Sequence, residues 1–215
     1  MAQQFSATDF TRQDESDDGN FYTQPRMVVH IDDHAIASVT DVIRRRVPAD
    51  ARVLDLMSSY RSHLPAEAHY SEVVGLGMNG EELRANSQLN DYVVHNLNKN
   101  PQLPFEDASF DAVLNTVSIQ YLTHPVEVMR EVARVLKPGG ISIITFSNRM
   151  FPTKAVRIWA SGNDESHIQL VQQYYQQAGG YSKVEVERRE DKSTLSWFNR
   201  GHDPLFAVIG TRGEQ

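Results

Sequence analysis

Leu103-Pro104-Phe105-Glu106-Asp107-Ala108-Ser109-Phe110-Asp111-Ala112-Val113-Leu114-Asn115, answered downstream by Arg134-Val135-Leu136-Lys137-Pro138-Gly139-Gly140, is the stretch that decides the fold. Pro104 and the polar Glu106-Asp107 break regular structure, so a new element begins near Phe110. Ala112-Val113-Leu114 is a short apolar run that fits a buried strand. Pro125 suits the first turn of a helix, where its missing N–H costs nothing. Met129, Val132, Ala133 and Leu136 then recur at helical spacing, with Glu127, Arg130, Glu131 and Arg134 on the opposite face. Lys137-Pro138-Gly139-Gly140 reads as the stop of that helix. Ile141 to Phe146 follows as a second buried strand, completing a strand–helix–strand unit with a tight turn at each joint.

Outward from this unit, Arg52 to Leu56 reads as the first strand, Glu72 to Gly77 as the second and Tyr92 to Val94 as the third. Val184 and Val186 alternate with charges in a sixth strand, and Leu205 to Ile209 forms a seventh. Ile36, Val39, Ile43 and Val47 mark one face of a helix stopped by Pro48, with Arg44-Arg45-Arg46 in its solvated last turn. Ile168, Val171, Tyr175 and Ala178 mark another, stopped by Gly179-Gly180. Asn79 with Glu82 has the spacing of a capping box. Strands alternating with helices predict a largely parallel sheet covered on both faces, an α/β domain. Residues 1–20 form a flexible acidic N-terminus, mobile until something docks them; residues 21–50 form a lid and helix; residues 51–212 form the α/β domain proper.

The 215 residues carry a net charge of −7, which argues against a general nucleic-acid or anionic-membrane binder. There is no cysteine, so disulfides, thiolate metal sites and cysteine nucleophiles are excluded. No stretch is apolar enough to span a bilayer and the N-terminus lacks the basic and apolar regions of a secretory signal, so a cytoplasmic location is the default expectation. Oligomeric state has no signature in the sequence.

The central unit resembles the class I S-adenosylmethionine-dependent methyltransferases, in particular the small type 11 group. There a Leu-Pro-Phe…Ser-Phe-Asp segment leads into the fourth strand, and Arg-Val-Leu-Lys-Pro-Gly-Gly precedes the fifth. The match is carried by Leu103 to Phe105, Ser109 to Asp111 and Arg134 to Gly140, with a looser resemblance over roughly residues 50–212. It implies a Rossmann-like fold: a seven-stranded, mostly parallel sheet with helices on both faces and an antiparallel last strand. It also implies S-adenosylmethionine as cofactor and a small-molecule methyl acceptor.

By that resemblance the cofactor is held by Asp55, Met57, Ser58, Ser59, Gly77, Met78, Asn79, Asn96, Leu97 and Asn115. Three departures stand out. Relatives continue the first strand into a Gly-x-Gly loop, whereas Leu56 to His63 contains no glycine. Relatives end the second strand with an acidic residue that accepts the ribose hydroxyls, whereas Gly77 stands there; Asn79 or Glu81 is the candidate substitute. Asn96 replaces the aspartate that meets the adenine amino group, which its carbonyl oxygen can still accept. Ser58 and Ser59 offer hydroxyls to the cofactor's carboxylate or amine. If the cofactor binds, an open adenosine-sized cavity bordered by Asp55, Gly77 and Asn96 is expected.

On the acceptor side, the candidates after the fourth strand are Asn115, Ser118, Gln120 and Tyr121. Gln120 and Tyr121 are poor bases near neutral pH, so their role is orientation, or else they form an ordinary polar helix start. His30 is a candidate base on a lid shared with Tyr22 and Arg26. Arg149 follows the fifth strand and pairs either with an anionic group of the acceptor or with a surface carboxylate. His30-Ile31-Asp32-Asp33-His34 suggests a metal by spacing, but Asp32 or Asp33 is a natural N-cap before Ile36, and no metal is assigned. Ser196-Trp197-Phe198-Asn199-Arg200 packs the sheet edge or touches substrate. An Asn-Pro-Pro-Tyr signature is absent. Two readings follow: a methyltransferase with an altered cofactor pocket, or a catalytically silent fold serving as a ligand- or protein-binding module.

Overall fold

The computed structural model describes residues 5–189 and 202–214. In chain order they form α1 (Asp18–Phe21), α2 (Asp33–Arg46), β1 (Arg52–Leu56), β2 (Glu72–Gly77), α3 (Gly80–Ala85), β3 (Asp91–Val94), β4 (Phe110–Thr116), α4 (Pro125–Val135), β5 (Leu136–Phe146), α5 (Arg157–Ala160), α6 (Asp164–Ala178), β6 (Tyr181–Arg189) and β7 (Leu205–Arg212). The seven strands lie in the order β3-β2-β1-β4-β5-β7-β6. β1 to β5 run parallel, and β7 is antiparallel to both β5 and β6. From β1 the chain first builds outward through β2 and β3, then returns to place β4 on β1's other side. The strand order reverses there, and in open α/β sheets a crevice forms beyond the carboxyl ends of the strands at such a point.

Period-two alternation along the strands sorts the core into two layers. Val53, Ala112, Leu114 and Ile143 face α2 through Ala35, Val39, Val42 and Ile43. Leu54, Val113 and Ile144 face α4 and α6 through Val128, Val132, Val171 and Tyr175. The C-terminal arginines of α2 do more than meet solvent. Arg45 and Arg46 both pair with Glu187 of β6, and Arg44 pairs with Glu67, so the turn is clamped to the sheet edge.

One joint differs from the sequence expectation. Helix α4 ends at Val135, and the Lys137-Pro138-Gly139-Gly140 segment belongs to β5 as an irregularity. Leu136 pairs with Phe110, and regular register resumes at Ala112 with Ile141. Gly139 has φ +74° and a Cβ on Gly140 would stand 2.8 Å from the Lys137 carbonyl oxygen, so the bend requires glycines. Lys137 binds Asp111 at 2.8 Å instead of completing a helix end.

Residues 5–20, expected to be mobile until docked, lie docked along the domain. Arg12 bridges to Val156, Thr11 accepts the Arg157 N–H, and Phe5 and Phe10 pack on Tyr174. This strap continues across the carboxyl ends of the strands. Ser196 to Arg200 lies outside the described residues. No described helix is long and apolar enough to cross a membrane.

Candidate active site

Beyond β1, β2 and β4 lies a cavity of about 250 Å³. Its walls come from the turns after five strands, and the strap covers it with Tyr22, Arg26 and His30. Of the candidate site residues, Met57, Ser58, Ser59, Gly77, Met78, Asn79, Asn96, Leu97, Tyr121, Arg149 and His30 line it; Asp55, Asn115 and Gln120 do not.

The loop after β1 explains both the missing glycines and Gly77. Met57 takes φ +60°, turning the chain so that the Ser58 N–H donates to Leu76 O at 2.8 Å. The Ser58 carbonyl then crosses the end of β2, where a Cβ on residue 77 would come within 2.2 Å of its oxygen. Gly77 is therefore the crossing point of the loop, and no acidic side chain fits there. Asp55 sits under this loop, 3% exposed, and accepts hydrogen bonds from the hydroxyls of Ser58 (2.5 Å) and Ser62 (2.6 Å). It holds the loop and does not border the cavity, which corrects the expectation. Burial pushes its carboxyl up to about 6, against the lowering effect of the two serines.

That shift predicts a pH dependence. Because the native state keeps a proton on Asp55 that the unfolded chain releases from about 3.8 upward, its contribution falls as pH rises through about 6. Asp55→Asn should therefore gain on wild type by up to about 3 kcal/mol between pH 4 and pH 8, read from denaturant unfolding at both pH values. A difference that stays constant with pH contradicts the buried, protonated carboxyl.

Several expected ligand contacts are already engaged inside the protein. Asn79 caps α3, its Oδ1 accepting from the N–H groups of Glu81 and Glu82, while its Nδ2 donates to Tyr22 O. The expected capping box is only half formed, because Glu82 turns inward instead. Its Oε1 accepts the Arg26 N–H at 2.7 Å and its Oε2 the Ser59 hydroxyl at 2.6 Å. Glu82 is thus a buried carboxylate in the cavity wall, tying strap, loop and α3 together. Asn96 uses its carbonyl oxygen on the N–H groups of Asn98 and Lys99, so it offers its amide nitrogen rather than the predicted acceptor.

On the opposite side, Ser118 lines the cavity with a buried hydroxyl that has no partner among the described residues. The Tyr121 hydroxyl accepts the Phe151 N–H at 2.9 Å, and burial raises its pKa. Gln120 is fully buried and donates to Val117 O, and Asn115 donates to Leu56 O; both brace turns behind the wall. Arg149 pairs with Asp203 at 2.8 Å on the rim. His30 packs edge-on against Phe151, and desolvation holds its pKa below the ordinary value, with Glu82 opposing and Arg26 adding to the effect. It is the neutral imidazole at pH 7.

Asp32 caps α2 by accepting the Ala35 N–H. Asp32, His34 and His202 have ligand atoms within 4.8 Å of one another. The two rings stack with planes 18° apart, so their in-plane lone pairs lie in nearly parallel planes instead of converging on one ion.

A buried ionic cluster behind the strap has no signature in the sequence. Asp18, 6% exposed, accepts from Arg12 at 2.7 Å and lies 3.4 Å from Lys154, which is 1% exposed and 3.0 Å from Asp14. Asn98 donates to the second oxygen of Asp18. Arg12, Asp14 and Asp18 are neighbours on the strap, whereas Asn98 and Lys154 come from distant parts of the chain, so only the fold completes the cluster.

Residues 57–144 match the family model of a methyltransferase domain, a span running from the loop after β1 through nearly all of β5. Over that span, and in its strand order with the antiparallel β7, the chain is similar to the class I S-adenosylmethionine-dependent methyltransferases. Among its relatives is the ubiquinone/menaquinone biosynthesis C-methyltransferase UbiE of Bartonella quintana, 33% identical over 118 residues, which are 54% of this chain and 39% of that protein. The chain thus spans well under half the length of that relative. Among solved structures, the methyltransferase bound to the Trm112 activator of Haloferax volcanii superposes with a TM-score of 0.63 at 16% identity, covering 85% of this chain and 91% of that one. Haemonchus contortus phosphoethanolamine N-methyltransferase 2, solved with S-adenosyl-L-methionine, gives a TM-score of 0.57 at 17% identity over 82% of this chain and 52% of that one. At such identities the structural likeness concerns the fold, which this methyltransferase-fold chain shares over most of its length.

Proposed function

We propose that the protein is an S-adenosylmethionine-dependent methyltransferase acting on a small-molecule acceptor. The observation that carries this reading is the covered cavity beyond β1, β2 and β4, which stays open despite the glycine-free loop. The loop keeps to the end of β2 and is pinned by Asp55, so it does not fill the pocket.

The residues present suit the cofactor by donor and acceptor type. Leu76, Met78 and Leu97 supply apolar surface for a purine. Glu82 supplies a buried carboxylate for hydroxyl donors, taking over from the acid that Gly77 cannot be. The Asn96 amide nitrogen and the partnerless Ser118 hydroxyl are left for polar atoms of a ligand.

When bound, the cofactor supplies an electrophilic methyl group on a sulfonium. Transfer from a sulfonium depends on in-line alignment and exclusion of water. Tyr22, Phe151 and Tyr121 line the cavity, and the strap partly covers it. Where the acceptor must lose a proton, His30 is the neutral base in the wall. Tyr22 and Tyr121 remain neutral phenols, because burial raises both.

The test is incubation with methyl-tritiated S-adenosylmethionine and a metabolite extract. Label entering the small-molecule fraction, and lost with heat-denatured protein, supports the reading. Label that stays entirely on the cofactor across extracts argues for the binding-module alternative.

A further inference from the structure

Four permanent cations line the cavity: Arg12, Arg26, Arg149 and Lys154. Three have carboxylate partners: Arg12 with Asp18, Lys154 with Asp14 and Asp18, and Arg149 with Asp203. The Arg26 guanidinium has none among the described residues. It lies 4.3 Å over the Phe21 ring and 5.7 Å from the rings of Tyr22 and Phe151. Its Nη2 donates to Phe21 O at 2.9 Å, while its Nη1 is buried without a partner among the described residues. Its own backbone N–H is held by Glu82, whose other oxygen holds Ser59 of the loop after β1. The side chain is therefore fixed at its root, flanked by rings on its faces, and left with an unsatisfied donor at Nη1.

A half-buried guanidinium whose Nη1 is buried and unsatisfied is a receptor for a planar monoanion, because guanidinium donors match the two oxygens of a carboxylate. A phosphate dianion fits less well, since the other cations in the wall are already neutralised. We propose that Arg26 is the receptor for a carboxylate bound in this cavity, supplied either by the amino-acid end of S-adenosylmethionine or by the methyl acceptor. The inference rests on the methyltransferase reading for its choice of sources, and on the unpartnered guanidinium for the site itself.

The test is calorimetric titration of wild type, Arg26→Met and Arg26→Lys with S-adenosylhomocysteine and with its decarboxylated analogue S-adenosyl-3-thiopropylamine. If the cofactor supplies the carboxylate, Arg26→Met weakens S-adenosylhomocysteine about 10- to 100-fold and leaves the analogue unchanged, with Arg26→Lys in between. If the acceptor supplies it, both nucleosides bind all three proteins alike. Benzoate then binds the wild-type S-adenosylhomocysteine complex at least about tenfold more tightly than the Arg26→Met complex. Nucleoside affinities independent of Arg26, together with benzoate binding that is absent or equally independent, overturn the proposal. Wild type that binds neither nucleoside contradicts the methyltransferase reading instead, and benzoate titration of the free proteins then decides the carboxylate site alone. Arg26→Lys keeps the cation and its stem, so the comparison survives if Arg26→Met folds poorly.

Discussion

Replacing Asp18 with alanine is expected to cost about 3–5 kcal/mol, the range for removing one partner of a buried ion pair. Among the described residues, Asp18 is the only buried carboxylate paired with Arg12; Glu15 is exposed and 3.8 Å away. Without Asp18, Arg12 keeps its charge in a site 7% exposed, and Asn98 loses an acceptor. Lys154 retains Asp14, so the loss falls mainly on Arg12 and on the strap that carries it. Part of the cost should therefore show as local release of residues 5–30 before the whole domain unfolds. Thermal unfolding measures the global share, and limited proteolysis measures strap release. Asp18→Asn keeps an oxygen acceptor and should lose less than Asp18→Ala. An Asp18→Ala protein with unchanged melting and an unchanged cleavage pattern would show that the strap is held some other way.

Gly77→Ala is expected to destabilise by about 1–3 kcal/mol, the usual cost of inserting a carbon where none fits. The new Cβ would meet the Ser58 carbonyl oxygen at 2.2 Å, and a backbone atom cannot swing aside as a side chain can. The loop must shift, which pulls Ser58 from Asp55. A larger residue such as Gly77→Leu disrupts the same crossing, so it does not act as a simple plug in an otherwise intact pocket. Gly80→Ala is the control, because its nearest neighbour is a Val94 methyl at an ordinary 3.4 Å. Urea unfolding should separate the two variants clearly. Equal stability of Gly77→Ala and wild type would mean that the loop does not cross β2 there.

Much of the fold is legible in the sequence because local rules and tertiary packing agree. Arg52 to Leu56 and Glu72 to Gly77 are strands by apolar continuity, and they are buried in the sheet for that reason. Ile36, Val39, Ile43 and Val47 point to α2, and Asp32 caps it. Lys137 to Gly140 misleads, since the same residues that stop a helix also build a bulge, and only the pairing of Leu136 with Phe110 distinguishes them. The site is less legible. Glu82 stands three residues after Asn79, and spacing alone cannot tell a capping carboxylate from one turned into a cavity. Asp55 is in its expected place, but whether it faces ligand or loop depends on where Ser58 and Ser62 fold back. Arg12, Asp18, Asn98 and Lys154 meet only because the strap crosses the ends of the strands, which no periodicity encodes.

Calorimetric titration of the purified protein with S-adenosylmethionine and S-adenosylhomocysteine decides whether this cavity takes the cofactor. One-to-one binding at micromolar affinity, about −8 kcal/mol, is expected. No heat, and no rise in melting temperature at millimolar ligand, would contradict it and make the fold a binding module for something else.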